Sequence, residues 1–195
     1  MTKLPVNLLA EDLLADDLTE HCISSETIAA DGMLTVKRDQ VRLPTGNLSQ
    51  REYVMHPGAV VIVPILPNGN VVLEKQFRYP LHQVFIELPA GKIDAGEDIL
   101  MTGQRELLEE TGYSASEWVK LGLQHPCIGY SDEVIHMYLA RGLNAGAHQR
   151  EEDESLQVFE ASFEDCLSMI ANGQITDGKS IVALFFAEKY LQRHP

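Results

Sequence analysis

Residues 59–65 read AVVIVPI, an apolar and mostly β-branched run with no charged or amide side chain in it. A strand with one face in water would alternate apolar and polar residues, so this one has to be covered on both faces. That requirement confines the chain to layered folds in which other elements pack on each side of a sheet. Pro67-Asn68-Gly69-Asn70 then supplies turn residues and Val71-Val72-Leu73 resumes the apolar pattern, which predicts a hairpin. Upstream, from Glu26 to Met55, the runs ETIAAD, MLTVKRDQVRL and REYVM are separated by Asp31-Gly32 and Pro44-Thr45-Gly46 and read as a small antiparallel sheet.

Downstream, a short strand around Val84 to Leu88 leads into Pro89-Ala90-Gly91, and the apolar period changes from two to 3.6 between about Asp98 and Thr111. Gly112 is placed to end that helix. Val134–Leu139 and Leu156–Ala161 read as strands with the acidic loop Glu151-Glu152-Asp153-Glu154 between them. Ser162 and Asp165 have capping-box-like spacing before a short helix that Gly173 stops, and a last helix runs from about Lys179 to Leu191. Strands first, one helix in the middle and helices at the end predict an α/β sandwich with a mixed sheet. Residues 1–56 are expected to form an N-terminal extension and strand-rich arm, and residues 57–195 the main domain.

The chain has 195 residues, enough to fold without disulfides or a structural metal. Its net charge of −14 repels nucleic acid and anionic membranes, so neither is an expected partner. No apolar run approaches the ~20 residues of a bilayer span, and the first 20 residues, interrupted by Glu11, Asp12, Asp16 and Asp17, read as a surface helix or extension rather than a signal peptide. Cys22, Cys127 and Cys166 are too few and too far apart for a disulfide framework or zinc site, which points to the cytoplasm.

The acids of the central helix carry the chemistry. Glu106 and Glu110 are four apart and Glu109 is three from Glu106, so three carboxylates project from one side and repel. Glu109 and Glu110 also fall in the last turn, where the helix dipole favours cations. A bound hard divalent cation, Mg²⁺ or Mn²⁺, offsets both costs. The wider segment GKIDAGEDILMTGQRELLEETGY places Gly91, Glu97, Arg105, Glu106, Leu107, Glu109, Glu110 and Gly112 in the spacing G-x5-E-x7-R-E-(aliphatic)-x-E-E-x-G. At residue usages of about 5–10% each, eight such matches arise by chance roughly once in a hundred million, so the pattern is informative.

That segment resembles the Nudix box of the Nudix hydrolases; Tyr113 stands where the pattern has a small aliphatic residue. The resemblance implies a Nudix α/β/α sandwich and a divalent-metal-dependent pyrophosphohydrolase. It implies Glu106 and Glu110 as metal ligands, Glu109 as a direct or water-mediated one, and the Ala90 carbonyl as a further one. Gly91, Glu97, Arg105 and Gly112 would then hold the loop and helix in shape.

EKQFRYP at Glu74–Pro80, ELPAGKID at Glu87–Asp94 and YSDE at Tyr130–Glu133 look like the ADP-ribose and nucleoside-diphosphate-sugar pyrophosphatase branch of that family. The branch implies Arg78 and Glu87 as substrate contacts, Arg51 as an arm residue reaching the nucleotide, and a catalytic glutamate at Glu154, with Glu152 as the second candidate. It also implies a homodimer in which the arm packs on, or swaps with, the partner. ADP-ribose pyrophosphatases usually carry proline before the glycine ahead of the aromatic-Ser-Asp-Glu segment, whereas Ile128 precedes Gly129 here. The expected substrate is therefore ADP-ribose or a related nucleotide sugar such as GDP-mannose. A dinucleoside polyphosphate or nucleoside triphosphate hydrolase, and a non-hydrolytic nucleotide sensor, are the alternatives.

Overall fold

Strand β4 (Ala59–Pro64) is buried over its whole length, and its alternate residues face two cores. Val61 and Val63 enter one with Met137 and Leu139 of β9 (Ile135–Ala145) and with Ala183, Leu184 and Ala187 of α3 (Gly178–Arg193). Val60 and Ile62 enter the other with Leu107 of α1 (Ile99–Thr111) and with Tyr138 and Ala140 of β9. A helix thus covers each face of the sheet, as a strand without polar positions requires. The computed structural model describes residues 18–30, 34–146 and 155–194.

β4 pairs parallel with β9 and antiparallel with β7 (Ala90–Lys92), and β9 pairs antiparallel with β8 (Tyr113–Gln124), giving a mixed sheet of order β7-β4-β9-β8. A second sheet, all antiparallel, has the order β10-β5-β6, from β5 (Asn70–Arg78), β6 (Gln83–Glu87) and β10 (Leu156–Ser162). Leu73 and Leu88, with Cys166 of α2 (Phe163–Ala171), extend the same core as Val61. The arrangement is the mixed α/β fold expected, with α1 and α3 on opposite faces of the mixed sheet.

The described residues before His56, with Gly129–Ser131, make a separate compact unit. It is an antiparallel sheet of order β1-β2-β3, built from β1 (His21–Ala29), β2 (Thr35–Arg42) and β3 (Leu48–Met55). Val41 is its one fully buried residue among the described residues, while Ile23, Ile28 and Leu48 are exposed.

Several boundaries differ from those the sequence predicts. β8, a strand of 12 residues, follows α1 directly where no strand was expected. Its residues YSASEWVKLGLQ include Ser, Glu, Lys and Gly, which weaken the strand pattern, and a register shift between Lys120 and Gly122 breaks the alternation. β9 runs on to Ala145, past Leu139, because Arg141, Leu143 and Asn144 pair with the first half of β8. β1 starts at His21 rather than Glu26, and its wholly exposed residues carry no apolar period to mark it. The expected N-terminal helix or extension up to residue 17, the Asp31-Gly32 turn and the acidic loop 151–154 lie outside the described residues.

Leu184 is fully buried in the larger core. Leu184→Ala should cost about 2–5 kcal/mol in urea unfolding; a loss below about 1 kcal/mol would mean that α3 does not seal that face.

Candidate active site

Helix α1 starts at Asp98, whose carboxylate accepts the Leu100 and Met101 amides. It ends at Gly112, which turns the chain with a φ of 78° that glycine adopts without strain. Between these caps Glu106 and Glu110 are buried, 7% and 4% exposed, and Glu109 lies at the rim. Two buried carboxylates one turn apart repel and lose hydration, so they need compensation by cations or donors.

Arg105 supplies part of it, with all five N–H groups engaged. Nε donates to Glu97 Oε1 at 2.9 Å, and Nη2 to Glu97 Oε2 at 2.9 Å and to the Lys92 carbonyl at 3.1 Å. Nη1 donates to Glu106 Oε1 at 2.8 Å and to Glu109 Oε2 at 3.0 Å. The Arg105 fork, helped by the Thr102 hydroxyl, holds the Glu97 carboxyl down at about 2, while the bonds to Glu97 and the charge of Glu106 raise Arg105 further above its already high value.

Strand β7 runs directly over the acids. The Ala90 amide donates to Glu110 Oε2 at 3.0 Å, and a Cβ on Gly91 would lie 1.8 Å from the Glu106 carboxylate. Only glycine fits there. Hard oxygen donors pressed against a backbone without a side chain suit Mg²⁺ or Mn²⁺. Among the described residues no three acidic, His or Cys side chains converge into a ready cage; Arg105 draws Glu106 and Glu109 to itself.

A second charged cluster sits three residues upstream of Ala90. Glu87, 2% exposed, accepts Arg78 Nε at 2.7 Å and Nη2 at 2.8 Å, and also accepts Lys179 Nζ. Lys179 in turn donates to Asp177 at 3.0 Å. Burial pushes the Glu87 carboxyl up, but Arg78 and Lys179 together outweigh it and hold it below its ordinary value. The same ion pair raises Arg78. These residues border a cleft of about 260 Å³ with Leu81 and Phe85.

The predicted site residues thus fall into groups. Ala90, Gly91, Glu97, Arg105, Glu106, Glu109 and Glu110 share one network, and Arg78 and Glu87 share another. Arg51 lies on β3 in the arm unit, bidentate to Glu20 at 2.8 and 2.5 Å, with that bond raising its pKa. Glu152 and Glu154 lie outside the described residues. Sequence reasoning missed Lys179 and Asp177 as members of the second cluster. Asp177 is the N-cap of α3, and the run Asp-Gly-Lys-Ser marks a helix start, but nothing local shows that Lys179 reaches a carboxylate 92 positions away.

Because the Glu97 pKa is depressed in the folded protein, its stabilising effect is full above about 4.5 and is lost as pH falls toward about 2. Glu97→Gln should therefore be less stable than the parent at neutral pH, with the gap closing through that acid window. A gap constant with pH would contradict the pairing.

A family model described as NUDIX domain matches residues 55–182. The chain is 37% identical over 177 residues to the ADP-ribose pyrophosphatase of Bacillus subtilis, covering 90% of this chain and 94% of the relative. It is 38% identical over 177 residues to a methanol dehydrogenase activator of Bacillus methanolicus, covering 89% and 92%. It is 34% identical over 143 residues to the GDP-mannose pyrophosphatase of Yersinia enterocolitica, covering 67% and 73%. A crystal structure of an ADP compounds hydrolase shares the fold, with a TM-score of 0.83 over 92% of this chain and 98% of that one at 21% identity.

Proposed function

The chain belongs to the NUDIX family and is a pyrophosphohydrolase, and from that premise we propose that it splits ADP-ribose, or a related nucleoside diphosphate sugar such as GDP-mannose, into a nucleoside monophosphate and a sugar phosphate. The observation that carries this reading is the pair of buried acids, Glu106 and Glu110, against Gly91, with the Arg78–Glu87 cluster only three residues up the same segment. One group suits a cation and the other an anionic phosphate.

Nudix hydrolases use divalent metal; here Mg²⁺, or Mn²⁺, would be held by Glu106, Glu109, Glu110 and the Ala90 carbonyl. Bound there, it neutralises phosphate charge and lowers the pKa of coordinated water. Arg105 holds Glu106 and Glu109 in line through its Nη1. Arg78 binds the pyrophosphate, Glu87 is a further substrate contact, and Arg51 reaches the nucleotide. A carboxylate of the acidic loop, Glu154 with Glu152 as alternative, accepts the proton of the attacking water. The water oxygen bonds to phosphorus, the bridging P–O bond breaks, and the leaving phosphate takes a proton from solvent.

The arm, residues 1–56, serves as a dimerisation element ahead of the hydrolase domain, residues 57–195. A three-stranded sheet with one buried residue and exposed Ile23, Ile28 and Leu48 gains stability by packing on a second subunit. Three free thiols, Cys22, Cys127 and Cys166, favour a reducing compartment such as the cytoplasm. Among the described residues no helix is long and apolar enough to cross a membrane.

Chromatography of products after incubation with ADP-ribose, GDP-mannose and ATP, with Mg²⁺ and with chelator, tests the reading. Metal-dependent AMP and ribose 5-phosphate are expected. GMP with mannose 1-phosphate would move the assignment to GDP-mannose, preferred use of ATP would move it to triphosphates, and saturable binding without product would favour a sensor. Glu110→Gln should lower kcat about 100-fold or more with little change in the thermal melt; an unchanged rate would remove Glu110 from the chemistry.

A further inference from the structure

Glu87 is buried and meets two cations of different freedom. The Arg78 side chain is 42% exposed, that of Lys179 15%. Lys179 is also fixed from behind: Asp177 Oδ2 accepts its Nζ at 3.0 Å together with the Ser180 amide at 3.0 Å and hydroxyl at 2.6 Å. Ser180, fully buried, accepts the Leu88 amide on its Oγ at 2.8 Å. Arg78 can turn toward a ligand in the cleft without disturbing these bonds, whereas Lys179 cannot leave Glu87 without also pulling on its bond to Asp177, the N-cap of α3.

A buried carboxylate that loses its only cation is strongly disfavoured. If Arg78 were the sole partner of Glu87, moving it to a phosphate would strand that charge. We propose that Lys179 is a positioning residue: it is the resident counter-ion of Glu87, and by staying with Glu87 it frees Arg78 to bind the anionic substrate. This rests on the assignment of Arg78 to the substrate made above. The same anchor steadies the strand beside the acids. The Leu88 amide is held by Ser180, the Pro89 carbonyl accepts the Ile62 amide at 2.9 Å, and the Ala90 amide is held by Glu110. Helices α3 and α1 therefore grip one four-residue segment from its two ends.

Steady-state kinetics of the full chain with ADP-ribose test the role. Lys179→Met should raise KM roughly tenfold while kcat falls by less than about threefold. Lys179→Arg, which keeps the charge, should recover most of the loss, and Lys179→Gln offers a second neutral variant if the Met form does not fold. In a Glu87→Gln background, where no charge needs neutralising, Lys179→Met should change KM by less than about twofold. An equal loss in both backgrounds would overturn the counter-ion role. An Arg78→Gln variant with the parent's KM would overturn the assignment of Arg78 itself, and this inference with it.

Discussion

One guanidinium meets four different residues at the centre of this domain. Arg105 uses every N–H it has, on Glu97, Glu106, Glu109 and the Lys92 carbonyl, and a fourth acid, Asp94, stands 4.0 Å away. Lysine could not replace it, because a single ammonium lacks the planar fork that reaches both oxygens of Glu97 while serving the helix. The bond to Glu97 ties the loop between β7 and α1 to the helix, and the bonds to Glu106 and Glu109 make adjacent carboxylates tolerable in a chain whose net charge is −14. The remaining repulsion at Glu110 is met by the Ala90 amide, which brings β7 close enough that residue 91 must be glycine.

Electrostatics also explains why two clusters of opposite character lie on one short segment. An acidic protein repels a pyrophosphate unless it presents fixed cations or carries a metal to the bond. On the proposed reading Arg78 and Lys179 would provide the fixed charge, and the acids of α1 the oxygen donors for a metal. Glu87, Leu88, Pro89 and Ala90 connect them, and each of the four is tied to a different part of the domain by a side-chain or backbone bond.

What the sequence revealed and what it hid follow from distance along the chain. The buried strand 59–65, the caps of α1 and the spacing of Glu97 and Arg105 are local patterns, and each has its physical signature within a dozen residues. The reach of Lys179 to Glu87 spans 92 positions and depends on α3 packing against the mixed sheet through β4, β8 and β9, so no window could contain it. β8 stayed hidden because a helix ends at Gly112 and the strand begins at Tyr113 with no intervening loop. Tyr113 itself, unusual at that place in the motif, packs half-buried against the core of Val60, Ile62 and Leu107, which gives the larger ring room. The arm's strands were legible from their turns, but their ends were not, since exposed residues carry no periodic signal.

Titration of the full-length protein with Mn²⁺, followed through the loss of the free-ion EPR signal, asks most directly whether the acids of α1 hold a cation. Saturable binding that weakens at least about tenfold in a Glu106→Gln, Glu110→Gln double variant, with the thermal melt retained, is the predicted result. Equal binding by the parent and that variant would show that the buried carboxylates are not the metal's ligands.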